Sequence, residues 1–330
     1  MNSSTIPGRR LASEAITVRG LNKTYRLPKG GTLTAVDHLD LTIRAGETYA
    51  LLGPNGAGKS TTIEMLEGHR KPDSGEVRVL ETRPWKAPPS FRARIGIVLQ
   101  EATDSGELRV AEALRSLASC FPAPRQVDEV IEAVGLDGKG GVRISTLSGG
   151  QRRRLDVALG IIGNPEVLFL DEPTTGFDPE ARRQFWDLIR QLSSGGTTIV
   201  LTTHYLDEAE QLADRIGVIN HGRLIAEGSP QDIGGPGLRV PRVRWRDSSG
   251  LREVVTEQPA ALVNSLSDGG ATEPAELAVV RPSLEDIYLQ LIGAADGADR
   301  PDSTETAADP ATPPDSLPDT AAPSTSGALR

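Results

Sequence analysis

The chain has 330 residues, of which 37% are hydrophobic, 25% charged and 4% aromatic, with a formal net charge of -9. That length holds about two domains, and the acidic balance argues against a broad nucleic-acid surface, so no nucleic-acid partner is expected. Cys120 is the one cysteine, which excludes an intrachain disulfide and fits a reducing compartment. Residues 1–14 carry Arg9 and Arg10 with no apolar run behind them, so they read as a disordered lead-in and not as a secretion signal. Ile16–Val18 and His38–Ile43 read as strands, the second from the alternation of Leu39, Leu41 and Ile43. Between them lies Asn22-Lys23-Thr24-Tyr25 and then a polar loop through Pro28, Gly30 and Gly31. Thr48–Leu52 is an apolar run and reads as a buried strand.

The next nine residues, Gly53-Pro54-Asn55-Gly56-Ala57-Gly58-Lys59-Ser60-Thr61, organise the rest. They join that strand to a helix over Thr62–Glu67, capped by Gly68. Strand, G-x-x-x-x-G-K-S, helix is the context in which a glycine-rich loop grips phosphate. Glycines let successive N–H groups converge on phosphate oxygens, and the helix N-terminus adds partial positive charge. Lys59 is expected to reach the β- and γ-phosphates, and Ser60 to ligate Mg²⁺.

Further on, Glu76–Leu80 and Arg94–Leu99 read as strands, the latter ending at Gln100. The period then changes. Val110–Leu117 and Val127–Val134 read as helices separated by the Pro122–Pro124 loop. Leu147-Ser148-Gly149-Gly150-Gln151 opens a third, with Leu155, Leu159 and Ile162 at helical spacing. This helical insert spans about residues 103–160. Val167–Leu170 is an apolar strand ending in Asp171-Glu172-Pro173. Asp171 is placed as a second Mg²⁺ carboxylate and Glu172 as a general base, although an Asp-Glu pair at a strand end can also be a solvated turn. The start of the Ser148 helix offers a second set of N–H groups for phosphate. A helix with Phe185, Leu188, Ile189 and Leu192 on one face follows, then strands Thr197–Leu201 and Ile216–Ile219 around a helix over Leu206–Ala213. Asn220–Arg223 is a hairpin turn into Leu224–Ala226. Strands alternating with helices imply a parallel sheet in an α/β core.

Together these motifs resemble the ATP-binding subunits of ABC transporters, over about Ile16–Ile233. Residues 53–61 match the Walker A motif of a P-loop NTPase, 147–151 the family signature, and 167–172 the Walker B motif with its glutamate. The resemblance implies four further roles. Tyr25 would stack on adenine, and Gln100 would approach Mg²⁺ and water and signal to the membrane partner. Asp178 would be the D-loop aspartate, though Asp-Pro-Glu is also a good helix start. His204 would contact the γ-phosphate. His38, His69 and His221 are given no role. The resemblance also implies a homodimer with ATP sandwiched between the Walker A of one copy and the signature of the other. ATP and Mg²⁺ are the expected ligands.

A finer resemblance, to exporters of the daunorubicin-resistance type, rests on Gly96–Glu101, Ser148–Leu155 with its three arginines, Thr202–Ala209 and Pro282–Tyr288. Phe177 stands where that family usually has Leu. No stretch approaches the ~18–20 apolar residues of a membrane span. A separate multi-span subunit is therefore expected, with this chain peripheral on the cytoplasmic face of the membrane. Exporters of lipids or polysaccharides, a soluble ATPase of the same type, and a regulatory module with an effector site in 238–292 are alternatives.

Gly234-Gly235-Pro236-Gly237 breaks the chain. The expected organisation is an ATP-binding domain over 15–235, a small α+β appendage over 238–293 and a disordered tail over 294–330. The appendage reads strand, strand, helix, strand, helix, and the tail is rich in Pro, Ala, Asp, Ser and Thr.

Overall fold

In a computed structural model of the chain, residues 14–98, 107–267 and 272–298 are described. Two sheets form the core. The first is antiparallel, in the order β2 (Thr32–Arg44), β1 (Glu14–Arg26), β4 (Ser74–Val79). The second has six strands in the order β5 (Ile95–Val98), β6 (Val167–Asp171), β7 (Thr198–Thr202), β3 (Thr48–Leu52), β8 (Arg215–Asn220), β9 (Arg223–Gly228). Its strands run parallel from β5 to β8, and only β9 is antiparallel, returning from β8 through the Asn220–Arg223 turn.

The strict side-chain alternation of a strand explains how the parallel sheet divides its contacts. Tyr49 and Leu51 of β3, Val167 and Phe169 of β6, and Val200 of β7 join one apolar cluster with Ile16, Val36, Ile43 and Val77 of the antiparallel sheet. Their neighbours Ala50, Leu52, Leu168, Leu170, Ile199 and Leu201 face the other way and join a cluster built with helices. A sheet covered on both faces needs apolar residues at every position, so these strands read as continuous apolar runs.

The helices that contribute to that second cluster are α3 (Val110–Ala118), α4 (Val127–Ala133) and α5 (Gly149–Ile161) of the insert, with α3 and α4 packed on α5, then α6 (Pro179–Ser194) and α7 (Leu206–Leu212). Each insert helix buries one side: Val110, Ala113 and Leu114 of α3, Val130 and Ile131 of α4. Helix α1 (Lys59–Glu67) ends at Gly68, whose φ of 89° is the left-handed cap expected of glycine. Phe177 is buried and meets Phe185 edge to face at 5.9 Å, so the ring is accommodated.

Three features differ from the sequence reading. First, β1 and β2 form one long hairpin that runs through Asn22–Tyr25. Register shifts at Val18/Leu21, Leu21/Lys23 and Lys23/Thr24 break the alternation by which a strand is read. Second, a short helix α2 (Pro89–Arg92) and a 3-10 turn (Pro84–Lys86) precede β5, in a stretch whose prolines hide them from periodicity.

Third, the last helix of the appendage packs on the core, while its three strands form a sheet of their own. The appendage has the expected order: β10 (Arg242–Asp247), β11 (Gly250–Val255), α8 (Pro259–Leu266), β12 (Ala275–Val280), α9 (Leu284–Ala298). However, α9 returns to the ATP-binding domain. Leu284 and Ile287 are buried, and Tyr288, Leu291 and Ile292 pack on the core cluster. The helix also runs past residue 293 to Ala298. Its alanines favour helix, and Asp296 accepts from the Asn220 amide at 2.8 Å. The expected tail is therefore helical over 294–298. Residues 299–330, 1–13 and the Gln100 position lie outside the described residues.

Candidate functional site

In a parallel sheet, ligands collect at the carboxyl ends of the strands. The order β6-β7-β3 sets three such ends side by side, with Leu51 and Asp171 both opposite Thr202. The loops leaving them carry Gly53–Lys59, Asp171-Glu172 and Thr203-His204. Residues about 120 and 150 positions apart are thus brought together by strand order alone.

The first two of these loops line one cleft of about 460 Å³, formed by Tyr25, Leu33, Ala35, Asn55, Gly56, Gly58, Lys59, Ser60, Thr61, Asp171 and Glu172. The Lys59 ammonium donates to the Gly53 carbonyl at 2.7 Å and the Pro54 carbonyl at 3.0 Å. These bonds hold the loop closed around its own lysine. Burial lowers the Lys59 pKa, while Glu172 and Asp171 oppose that shift. A dianionic or trianionic group beside it would restore the cation's stability. Gly58 is demanded by close approach: its φ is 105°, and a Cβ there would sit 2.1 Å from the Ala35 carbonyl oxygen. The β8–β9 turn braces the loop from behind, with Gly222 N–H donating to the Ala57 carbonyl at 2.9 Å.

Asp171 accepts from the Thr202 hydroxyl. The Glu172 N–H donates to the Thr202 carbonyl at 3.1 Å. Glu172 has a φ of 45°, rare for a residue with a side chain. Its carboxylate lies 3.4 Å from the His204 Nδ1. His204 therefore adjoins the cleft through Glu172, with Tyr205 against its ring at 4.0 Å. Tyr25 closes the other end. Its hydroxyl is 3.4 Å from that of Thr61, and the Arg70 guanidinium lies over its ring. Among the described residues, no group of three or more His, Cys, Asp or Glu is placed to hold a metal ion. The oxygen donors lining the cleft include the Asp171 and Glu172 carboxylates and the Ser60 and Thr61 hydroxyls. That set suits Mg²⁺, which shares its shell with phosphate and water.

The signature residues do not line this cleft. Ser148 caps α5, accepting from the Gln151 N–H, while Gln151 accepts from the Ser148 N–H at 3.2 Å. A Cβ on Gly149 or Gly150 would meet nothing within 4 Å. Asp178 caps α6, accepting from the N–H groups of Glu180 and Ala181 at 3.0 and 2.8 Å, and it too lies off the cleft lining. Sequence reading missed Leu33 and Ala35, which line the cleft, and Thr202 and Arg153, which hold the loop after β6. Only the arginine left a sequence signal: Arg153 stands in helical phase with Val157 and Ile161, both buried.

Residues 36–175 match the family described as ABC transporter. The chain is 45% identical over 247 residues to the daunorubicin/doxorubicin resistance ATP-binding protein DrrA of Streptomyces peucetius, covering 73% of each chain. This chain belongs to the ATP-binding subunits of ABC transporters. It is also 37% identical over 316 residues to the Nod factor export ATP-binding protein I of Ralstonia nicotianae, covering 87% of this chain and 97% of that one. Its fold resembles a dimeric ATP-binding cassette, MJ0796, in a post-hydrolysis state with ADP and phosphate (TM-score 0.59, 24% identity, 65% of this chain and 98% of that one). As a member of this family, it hydrolyses ATP to power transport. Among the described residues, no helix of this ABC subunit is long and apolar enough to cross a membrane.

Proposed function

We propose that this ABC ATPase drives efflux of a drug, antibiotic or other amphipathic compound through a separate membrane subunit, sitting peripherally on the cytoplasmic face. The observation that carries the enzymatic part is the convergence of Lys59, Ser60, Asp171 and Glu172 on one cleft. The names of the DrrA and Nod factor relatives support export. The match to a Nod factor export protein keeps export of a compound other than a drug, a lipid or a polysaccharide, as the second reading.

ATP binds with adenine against Tyr25 and its phosphates in the Gly53–Thr61 loop. Lys59 exchanges its two carbonyl partners for phosphate oxygens. Ser60 and Asp171 would hold Mg²⁺, which would neutralise phosphate charge when bound, and Gln100, outside the described residues, would approach it as a third residue. Glu172 accepts a proton from the attacking water. His204, beside Glu172, faces the γ-phosphate. Ser148, Gly149, Gly150 and Gln151 serve a second copy's nucleotide, and Asp178 faces that copy. The exposure of the Gly149 helix start away from its own cleft supports this division. A phosphate loop alone leaves one side of the γ-phosphate open to water, and a second donor set closes it.

Lys59→Ala should weaken ATP binding by roughly 30-fold, the worth of a charge-assisted contact of about 2 kcal/mol. Glu172→Gln should keep ATP binding and lower kcat by roughly 10²–10⁴-fold, accumulating an ATP-dependent dimer. Nucleotide titration, ATPase assay and sizing with and without ATP read these out. Unchanged affinity in the first variant, or unchanged turnover in the second, overturns the assignment. The cargo is tested by comparing drug, lipid and polysaccharide efflux from cells that co-express the chain with a membrane subunit.

A further inference from the structure

The guanidinium of Arg153 reaches from the signature helix to the loop that carries Glu172. Arg153 lies one turn into α5 from Gly149, and its side chain is only 9% exposed. Its Nε donates to the Pro173 carbonyl at 2.9 Å, and one terminal nitrogen donates to the Asp171 carbonyl at 2.9 Å and the Glu172 carbonyl at 3.4 Å. Three successive carbonyls are thus gathered by one planar fork. The middle one belongs to the residue with φ of 45°. A left-handed backbone at a glutamate persists only where its surroundings fix it. From one side Thr202 takes the Glu172 N–H; from the other, Arg153 takes the carbonyls.

From this geometry we infer that Arg153 is a positioning residue: it fixes the Glu172 carboxylate for proton abstraction and ties that loop to the helix whose start carries the signature. This rests on Glu172 being the general base. The fork geometry is the reason for arginine. A lysine offers the charge without two donor directions set in one plane, so it can satisfy one carbonyl in place of the set.

A buried arginine could equally serve only to fasten the insert to the core, and the experiment separates the two. Arg153→Met and Arg153→Lys are made alone and on the Glu172→Gln background, in the full chain. ATP affinity, kcat, KM and melting temperature are measured for each. If Arg153 acts through Glu172, Arg153→Met lowers kcat by roughly 30–100-fold, as a small misplacement of a catalytic group does. On the Glu172→Gln background the same change then lowers the residual rate by less than about threefold, because there is no base left to position. KM and ATP affinity stay within about twofold, and Arg153→Lys falls between wild type and Met. Equal losses on both backgrounds overturn the inference in favour of a fastening role, as does an Arg153→Lys enzyme with full kcat. If Arg153→Met does not fold, the Lys variant on the two backgrounds carries the same comparison. Full activity of Glu172→Gln alone would sink the general-base assignment instead, so the two failures are distinguishable.

Discussion

At the end of α1, the Glu67 side chain is 4% exposed, with His69 3.2 Å away. Burial first, then the charges of Asp171 and Glu64, push its pKa from the ordinary 4.5 up to about 8. At neutral pH the carboxyl is therefore protonated in the folded protein and ionised in the unfolded chain. The folded state holds the extra proton, so stability is fully present below about 4.5 and is lost as pH rises through about 8. Glu67→Gln keeps the shape and cannot ionise. Its stability relative to wild type should grow with pH between 5 and 8, by at most ~1.4 kcal/mol per unit. Urea unfolding at pH 5.5 and pH 8 checks the sign: a difference that shrinks with pH would show that Glu67 is ionised in the fold. Nothing in the residues Glu67-Gly68-His69 announced this; the shift comes first from packing that seals the carboxyl from water and then from the carboxylates that the fold and the helix set nearby.

At the scale of elements, two glycine-bearing helix starts have opposite requirements. Before α1, Gly58 has φ 105° and the Ala35 carbonyl 2.1 Å from any added Cβ. At the start of α5, Gly149 has open space on that side. Gly58→Ala should therefore cost about 1–3 kcal/mol of folding stability through backbone strain and a displaced β2. Gly149→Ala should change the stability of the isolated chain by less than ~0.5 kcal/mol while weakening ATP-driven pairing. Thermal unfolding of both, alongside sizing of the second on a Glu172→Gln background, tests the contrast. A large stability loss in Gly149→Ala would place its role inside the subunit. The motif letters gave both glycines; the reason for each differs, and only the neighbours across the fold reveal it. The same holds for α9, whose apolar Leu284, Ile287 and Leu291 were readable as helix while their partner, the core beside α7 and β8, was not.

At the scale of the whole molecule, the proposed site is divided between copies. Lys59→Ala damages one half of each site and Gly149→Asp the other, where a carboxylate against phosphate opposes closure. Each homodimer should be nearly inactive. Mixing them allows a heterodimer in which both lesions fall on one site and the second site is intact. ATPase activity should then recover to a measurable fraction of wild type when the two purified variants are combined. A mixture as inactive as its components, together with a Glu172→Gln variant that stays monomeric in saturating ATP, would refute the shared site.

By itself the sequence determined what local chemistry requires. Glycines, Lys59 and Ser60 must be contiguous to wrap a phosphate, and an apolar strand must end at Asp171 for its carboxylate to emerge from the core, so these were legible as written. The parallel sheet was legible too, because strands buried on both faces become uninterrupted apolar runs. What tertiary structure decided is which ends meet. Strand order β6-β7-β3 brings Asp171, Thr202 and Lys59 to one edge. The fold of α5 turns Arg153 inward onto the loop of Glu172. It also decided that α9 belongs with the core, since a helix's apolar stripe states that a partner exists and leaves its identity to the packing.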